Sequence, residues 1–323
     1  MTIHWGLVSR FVKPWRICQE PLKVAYRTCI QNGDSEFSLI CPVLSVLNMI
    51  AAGGPLPPIA QAMKSVYQLL QRKKHESLQR LLRPFYQLVL NLMGVSPEVD
   101  PLVLTGTIMN EDEEWRQVRE HGNATIEICL LWCESSLAFH LHKFIKARHL
   151  LEQCRTLYHR VPHVMLGSFQ ILIEFWNGMT AVRLLWKYRR GESLSVADKK
   201  YQTELEHSAK ISLGTLSTLA KYATDNINSK VLLLQGEMEA LHGNHEESME
   251  LFQRALESAE EGLLDKALIG EQVGLTLRLC GKEDLALDYL EDCCASYRAW
   301  GALIKVNHVK GTVIPEAIYE WEE

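Results

Sequence analysis

Strand signals are nearly missing from this chain. No segment sustains the apolar–polar alternation of a half-buried strand, and no Asn-Gly pair joins two β-branched runs. Long apolar runs are missing too. The most apolar segments, Phe37 to Ala52 and Leu166 to Trp176, fall short of the ~18 residues that cross a bilayer and have the length of core helices. No secretory leader is visible, because Met1 to Trp15 mixes scattered apolar residues with His4, Arg10 and Lys13. Charge of one sign does not dominate. A net charge of −5, with short basic runs at Arg72-Lys73-Lys74 and Arg189-Arg190 that read as solvated helix ends, gives no footprint for nucleic acid or an anionic membrane.

Catalytic motifs are equally scarce. No phosphate loop is present, and the single Gly-Lys pair, Gly281-Lys282, is followed by Glu283. No Gly-x-Gly-x-x-Gly, His-Arg-Asp or Asp-Phe-Gly occurs, so ATP binding and catalysis are not expected. The 9 cysteines include no Cys-x-x-Cys, and the vicinal Cys293-Cys294 is a poor disulfide, so they read as packed free thiols in a cytoplasmic protein. Histidines gather at 140, 142, 149, 159 and 163 near Cys154. A metal site needs three or four converging ligands, and half-buried or exposed histidines on a long helix explain them more simply. The run Glu111-Asp112-Glu113-Glu114 suits a solvated helix N-terminus. Trp5, Trp15, Trp132, Trp176, Trp186 and Trp300 suit packing between helices. No cofactor or metal is expected.

What is there is helical periodicity. Val24, Tyr26, Cys29 and Ile30 share one face; Ile59, Met63, Val66, Tyr67, Leu69 and Leu70 form a second stripe; Leu81 to Met93 makes a third, closed by Gly94. Breaks are expected at Gln31-Asn32-Gly33-Asp34, at Gly53–Pro58 and at Ser96–Gly106, with helices resuming near Trp115 and again from Ser136. Arg189 to Lys199 is a candidate linker. An internal repeat is clearer still: Gly236, Gly243, Ser248, Phe252 and Ala255 recur as Gly274, Gly281, Ala286, Leu290 and Cys293, each pair 38 positions apart. A weaker copy runs through His142, Ala147, Leu151 and Cys154, and another starts at Gly33 with Ser38. In this spacing the first small residue lets two helices approach, the second glycine closes the first helix, and the large residue fills the gap between hairpins. The prediction is an all-α, tetratricopeptide-like helical-hairpin solenoid with a concave surface able to grip a peptide. Its parts are an N-terminal array over 1–190, repeats over 191–310 and a tail over 311–323, unless one solenoid runs throughout.

The run Tyr297-Arg298-Ala299-Trp300-Gly301-Ala302-Leu303-Ile304-Lys305-Val306 resembles an element of very large signalling proteins. These join a serine/threonine-kinase-like domain, an AAA-type ATPase, a helical repeat region, GAF or PAS sensors, and a histidine kinase or nucleotide cyclase. His4-Trp5-Gly6 through Phe11–Trp15 is similar to the opening of that repeat region. Asn32-Gly33-Asp34-Ser35-Glu36-Phe37, Asn91-Leu92-Met93-Gly94, Leu104-Thr105-Gly106 and Asn228–Gly243 resemble later segments of it, in order. The sequence departs from the pattern at Gly236-Glu237, where Ala-Glu is usual, and at Ser248. The resemblance implies a non-catalytic scaffold between a switch and an output domain, with protein partners and the catalytic domains outside these residues. A free-standing peptide-binding adaptor is the alternative, and an α-helical hydrolase a remoter one. Tyr297, Trp300 and Lys305 follow the last repeat, where a solenoid either caps its open end or offers a docking surface. Gly301 allows the tight reversal that favours the cap.

Overall fold

A computed structural model describes residues 13–95, 100–161, 167–191, 199–259 and 262–312. Trp5, His163, most of the opening segment, the centre of the linker and the tail from 313 lie outside them. The described residues form helices and no strand. After a 3-10 turn at Trp15–Cys18 come α1 (Gln19–Gln31), α2 (Ser35–Ala51), α3 (Leu56–Arg72), α4 (Glu76–Met93) and α5 (Glu111–His121). Next are α6 (Ala124–His140), α7 (Phe144–Arg160), α8 (Gly167–Arg189), α9 (Lys199–Ala220) and α10 (Thr224–His242). The last are α11 (His245–Ser258), α12 (Leu263–Leu279), α13 (Glu283–Trp300) and α14 (Leu303–Thr312). None of these is long and apolar enough to cross a membrane.

Helices pair as hairpins: α1 with α2, α3 with α4, α6 with α7, α8 with α9, α10 with α11 and α12 with α13. Short turns between strongly packed partners make the pairs α1–α2, α3–α4, α6–α7, α10–α11 and α12–α13 antiparallel. The turn residue that swings the chain round is left-handed at Gly33 (φ 73°), Lys74 (54°), His142 (56°), Gly243 (90°) and Gly281 (76°). Glycine takes this conformation without the Cβ clash, so Lys74 and His142 hold it at a cost.

Even-numbered helices form an inner layer and odd-numbered ones an outer layer. α4 packs on α6, α6 on α8, α8 on α10 and α10 on α12, while α2 touches both α4 and α8. α6 and α8 are buried nearly all round, as Ile128–His140 and Ile171–Trp186 show. Outer α3 and α11 instead bury one stripe each, Ile59–Met63–Val66–Leu70 and Ser248–Leu251–Phe252–Ala255. Aromatic rings lock the inner layer: Phe85, Trp132 and Phe169, from α4, α6 and α8, lie 4.8–5.7 Å apart by centroids.

The array also closes on itself. α14 packs on α4. The Trp15 backbone N–H donates to Asn226 Oδ1 on α10 at 3.0 Å, and Asn226 Nδ2 donates to the Lys13 carbonyl at 2.8 Å. Between these helices lies a cavity of about 40 Å³ lined by Trp132, His140, Trp176 and Trp300 among others.

Several local expectations change. Pro57 and Pro58 stand in the first turn of α3, where a missing N–H costs nothing, so that break ends at Pro55. Ser136 lies inside α6, which begins after the cap of Asn123 on the Ile126 N–H. On α1 the buried residues are Leu22 and Ala25, whereas Val24 and Ile30 are exposed, because α2 covers a different face. The acidic run does open α5, but Glu114 is buried between Arg80 and Arg83 rather than solvated.

Candidate functional site

The repeat residues sit at hairpin contacts. A Cβ on Gly236 would lie 2.6 Å from Phe252 Cε1, and one on Gly274 would lie 2.7 Å from Leu290 Cγ. Only glycine lets these helices approach so closely. Ser248, Phe252, Ala255, Ala286, Leu290 and Cys293 are all buried, and Gly243 and Gly281 make the left-handed turns. In the weaker copy Ala147, Leu151 and Cys154 are buried and His142 takes the glycine's place in the turn.

The residues of the C-terminal element are drawn inward. Trp300 is buried against Tyr297, and its Nε1–H donates to the Gly54 carbonyl at 2.8 Å, joining α13 to the α2–α3 loop. Gly301, at φ 94°, lies so close to Pro57 that a Cβ would come within 2.7 Å of its Cδ. Trp300 is thus buried rather than an exposed patch, and it joins the end of α13 to the α2–α3 loop.

Lys305 is buried completely, at 0% exposure, beside Glu271 at 1%. Its Nζ donates to Glu271 Oε1 at 2.5 Å and to the His140 carbonyl, and stands 3.3 Å from His142 Nε2. His142 Nε2 is 2.8 Å from the same carboxylate oxygen, and the Tyr297 hydroxyl donates to Glu271 Oε2 at 2.7 Å. One carboxylate on α12 thereby gathers the end of α13, the start of α14 and the α6–α7 turn. Burial alone would raise the Glu271 pKa, but Lys305 and His142 override it and hold the group well below the usual carboxylate range. Burial, reinforced by Lys305, pushes the His140 imidazole down to about 3, so it stays neutral among Trp176, Tyr297 and Trp300.

A second buried knot joins α8, α10 and α12. Arg183 Nε donates to Gln272 Oε1 at 2.6 Å, while Nη2 donates to Glu237, to the Gln272 carbonyl and to Thr276. Trp186 Nε1 donates to Glu237 Oε2 at 3.3 Å. Here burial outweighs attraction, lowering the pKa of Arg183 and raising that of Glu237. The ladder continues on α8, where Arg148 and Asn177 meet at Ser208, and Glu174 accepts from Arg155 and Ser212.

Other motif residues act as clasps. Asp34 caps α2 through the Phe37 N–H at 3.0 Å. Asn91 Nδ2 donates to the carbonyls of Pro101 and Val103, pinning the connector that buries Leu104. The described cysteines are free, and burial pushes the Cys154 thiol up to about 12, far from a reactive thiolate. Among the described residues no three His, Cys, Asp or Glu side chains come together as a metal site. Arg183 and Glu271 belong to no motif of the sequence, and Glu237 enters one only beside Gly236. Their signal was a lone charge inside an otherwise apolar helix, as in Val182-Arg183-Leu184 and Gly270-Glu271-Gln272-Val273.

No protein-family model, no curated protein and no solved structure matches this chain.

Proposed function

We propose that this chain is a non-catalytic, tetratricopeptide-like helical scaffold that relays between the switch and output domains of a multidomain signalling ATPase or kinase. The observation that carries this reading is the junction of Lys305, Glu271, His142 and Tyr297, together with the Trp300–Gly54 bond. They tie the Trp-Gly-Ala element to three distant parts of the array. A displacement of the Trp300–Lys305 segment would strain both the α6–α7 turn and the α2–α3 loop, which is what a relay requires. Its partners on this reading are neighbouring signalling domains, in the cytoplasm. Sequencing the transcript on both sides tests it: an ATPase reading frame upstream is expected, and stop codons bounding this chain alone would overturn it.

The adaptor reading draws on a different feature. A largely apolar groove of about 640 Å³ runs between α1, α2 and α3, lined by Leu22, Tyr26, Cys41, Val46, Met49 and Val66 among others.

A further inference from the structure

The outer layer changes sign along the array. α1, α3 and the turn residues Lys73 and Lys74 carry 6 basic side chains, Lys64 and Arg72 among them, and 1 acidic one, Glu20. α11 and α13 carry 9 acidic side chains and 2 basic ones. All of these are exposed. Pairing with neighbours removes little of either charge. Among the described residues the first face has one ion pair, Lys23 with Glu20, and the second has one, Glu283 with Arg278 of α12. With both pairs counted, the first face keeps a net +5 and the second, Arg278 included, a net −6.

The two faces do not satisfy each other within one chain. α13 meets the start of α3 where Trp300 and Gly301 reach Gly54 and Pro57, yet among the described residues no ion pair joins α1 or α3 to α11 or α13. Shape follows the charge. The groove of about 640 Å³ between α1 and α3 has Leu22, Tyr26, Met49 and Val66 in its walls, together with Lys23. On α13 the acidic face holds one exposed large apolar side chain, Leu285 at 41% exposure. It lies beside Asp284 and, at helical spacing, in line with Asp288 and Asp292. A basic face with an apolar groove and an acidic face with an apolar knob are complementary surfaces on one molecule.

We propose that the outer face of α1 and α3 docks a second copy of this chain, which presents the outer face of α11 and α13. Such a contact is heterologous, so successive copies close into a ring or run on as a filament according to the rotation between them. Area bounds its strength. A helix of 17 residues, the length of α3, is about 26 Å long and about 10 Å wide. Two of them side by side cover about 500 Å² on each partner, near the lower limit of about 1,000 Å² in total for a specific interface. The association is therefore weak, and opposite charge supplies its direction and its salt dependence.

The test is sedimentation equilibrium of the full chain over a range of concentrations, at about 0.01 M and about 1 M salt, where charges are screened beyond ~30 Å and ~3 Å. The average mass should rise above that of the monomer with concentration at low salt and return to it at high salt. Lys64→Glu/Arg72→Glu and Asp288→Lys/Asp292→Lys should each weaken association about tenfold or more. An equimolar mixture of the two should restore it, because each supplies the face the other has lost. Lys210→Glu, an exposed change on α9, should leave association unaltered. Leu285→Ser keeps every charge and provides a further weakened variant should a reversal melt early. A monomer at every concentration in low salt would overturn the proposal, as would association indifferent to both double variants. Recruitment to anionic vesicles that Lys64→Glu/Arg72→Glu abolishes, without self-association, would assign the basic face to a lipid surface instead.

Discussion

Lys305 and Glu271 illustrate how a buried charge can hold a fold together without being a net source of stability. Removing both from water is expensive, and their mutual attraction, with Tyr297 and His142 attached, offsets that cost. Breaking the pair on one side is another matter. Lys305→Met should cost about 3–5 kcal/mol in a denaturant melt, because Glu271 would be left buried without its cation. Lys305→Met/Glu271→Leu should recover much of that loss, and a double variant as unstable as the single one would contradict the pairing. Glu134 behaves in the opposite sense. Burial, with Glu111 nearby, lifts its carboxyl to about 7, against the indole N–H of Trp115 that donates to it at 2.5 Å. The folded state then holds a proton that the unfolded chain has already released, so stability should fall as pH rises from about 4.5 to about 7. Glu134→Gln keeps an acceptor for Trp115 and should flatten that part of the profile, with a gain on the order of 1–3 kcal/mol at pH 8. An unaltered pH profile would show that Glu134 ionises normally.

At the scale of the hairpin, packing follows from what the glycines leave out. Phe252 fills the space that a side chain at Gly236 would need, and Leu290 does the same over Gly274. Phe252→Ala should therefore cost roughly 3–5 kcal/mol. Turn chemistry supplies the converse. Lys74 is exposed and sits at φ 54°, so Lys74→Gly should stabilise the protein by about 0.5–1 kcal/mol, the relief of the clash reduced by the greater freedom of the unfolded chain. A melting temperature lowered by this change would contradict the turn assignment. These elements were the legible part of the sequence, since the 38-residue spacing is local and each hairpin is built from neighbours. The weaker turns were harder to read because Lys74 and His142 stand where glycine would have marked them. On α1 the apolar stripe misled, since Val24 and Ile30 face solvent.

For the whole molecule, the sequence did not disclose that the array closes. Trp300 and Gly54 lie 246 positions apart, and Trp15 and Asn226 lie 211 apart. No pattern within a helix announces such contacts. Nor could periodicity show that α6, α8 and α12 are covered on every side; their lone charges at Glu134, Arg183 and Glu271 read as ordinary polar positions until the neighbours are placed. Closure makes the end of α13 part of the environment of the α2–α3 loop. Native-state hydrogen exchange on Trp300→Ala, compared with the parent chain, tests that coupling most directly. Faster exchange is predicted in α13 and α14 and, together with it, in the α2–α3 loop and the adjoining turns of α2 and α3. Acceleration confined to α13 and α14, with α2 and α3 protected as before, would contradict it.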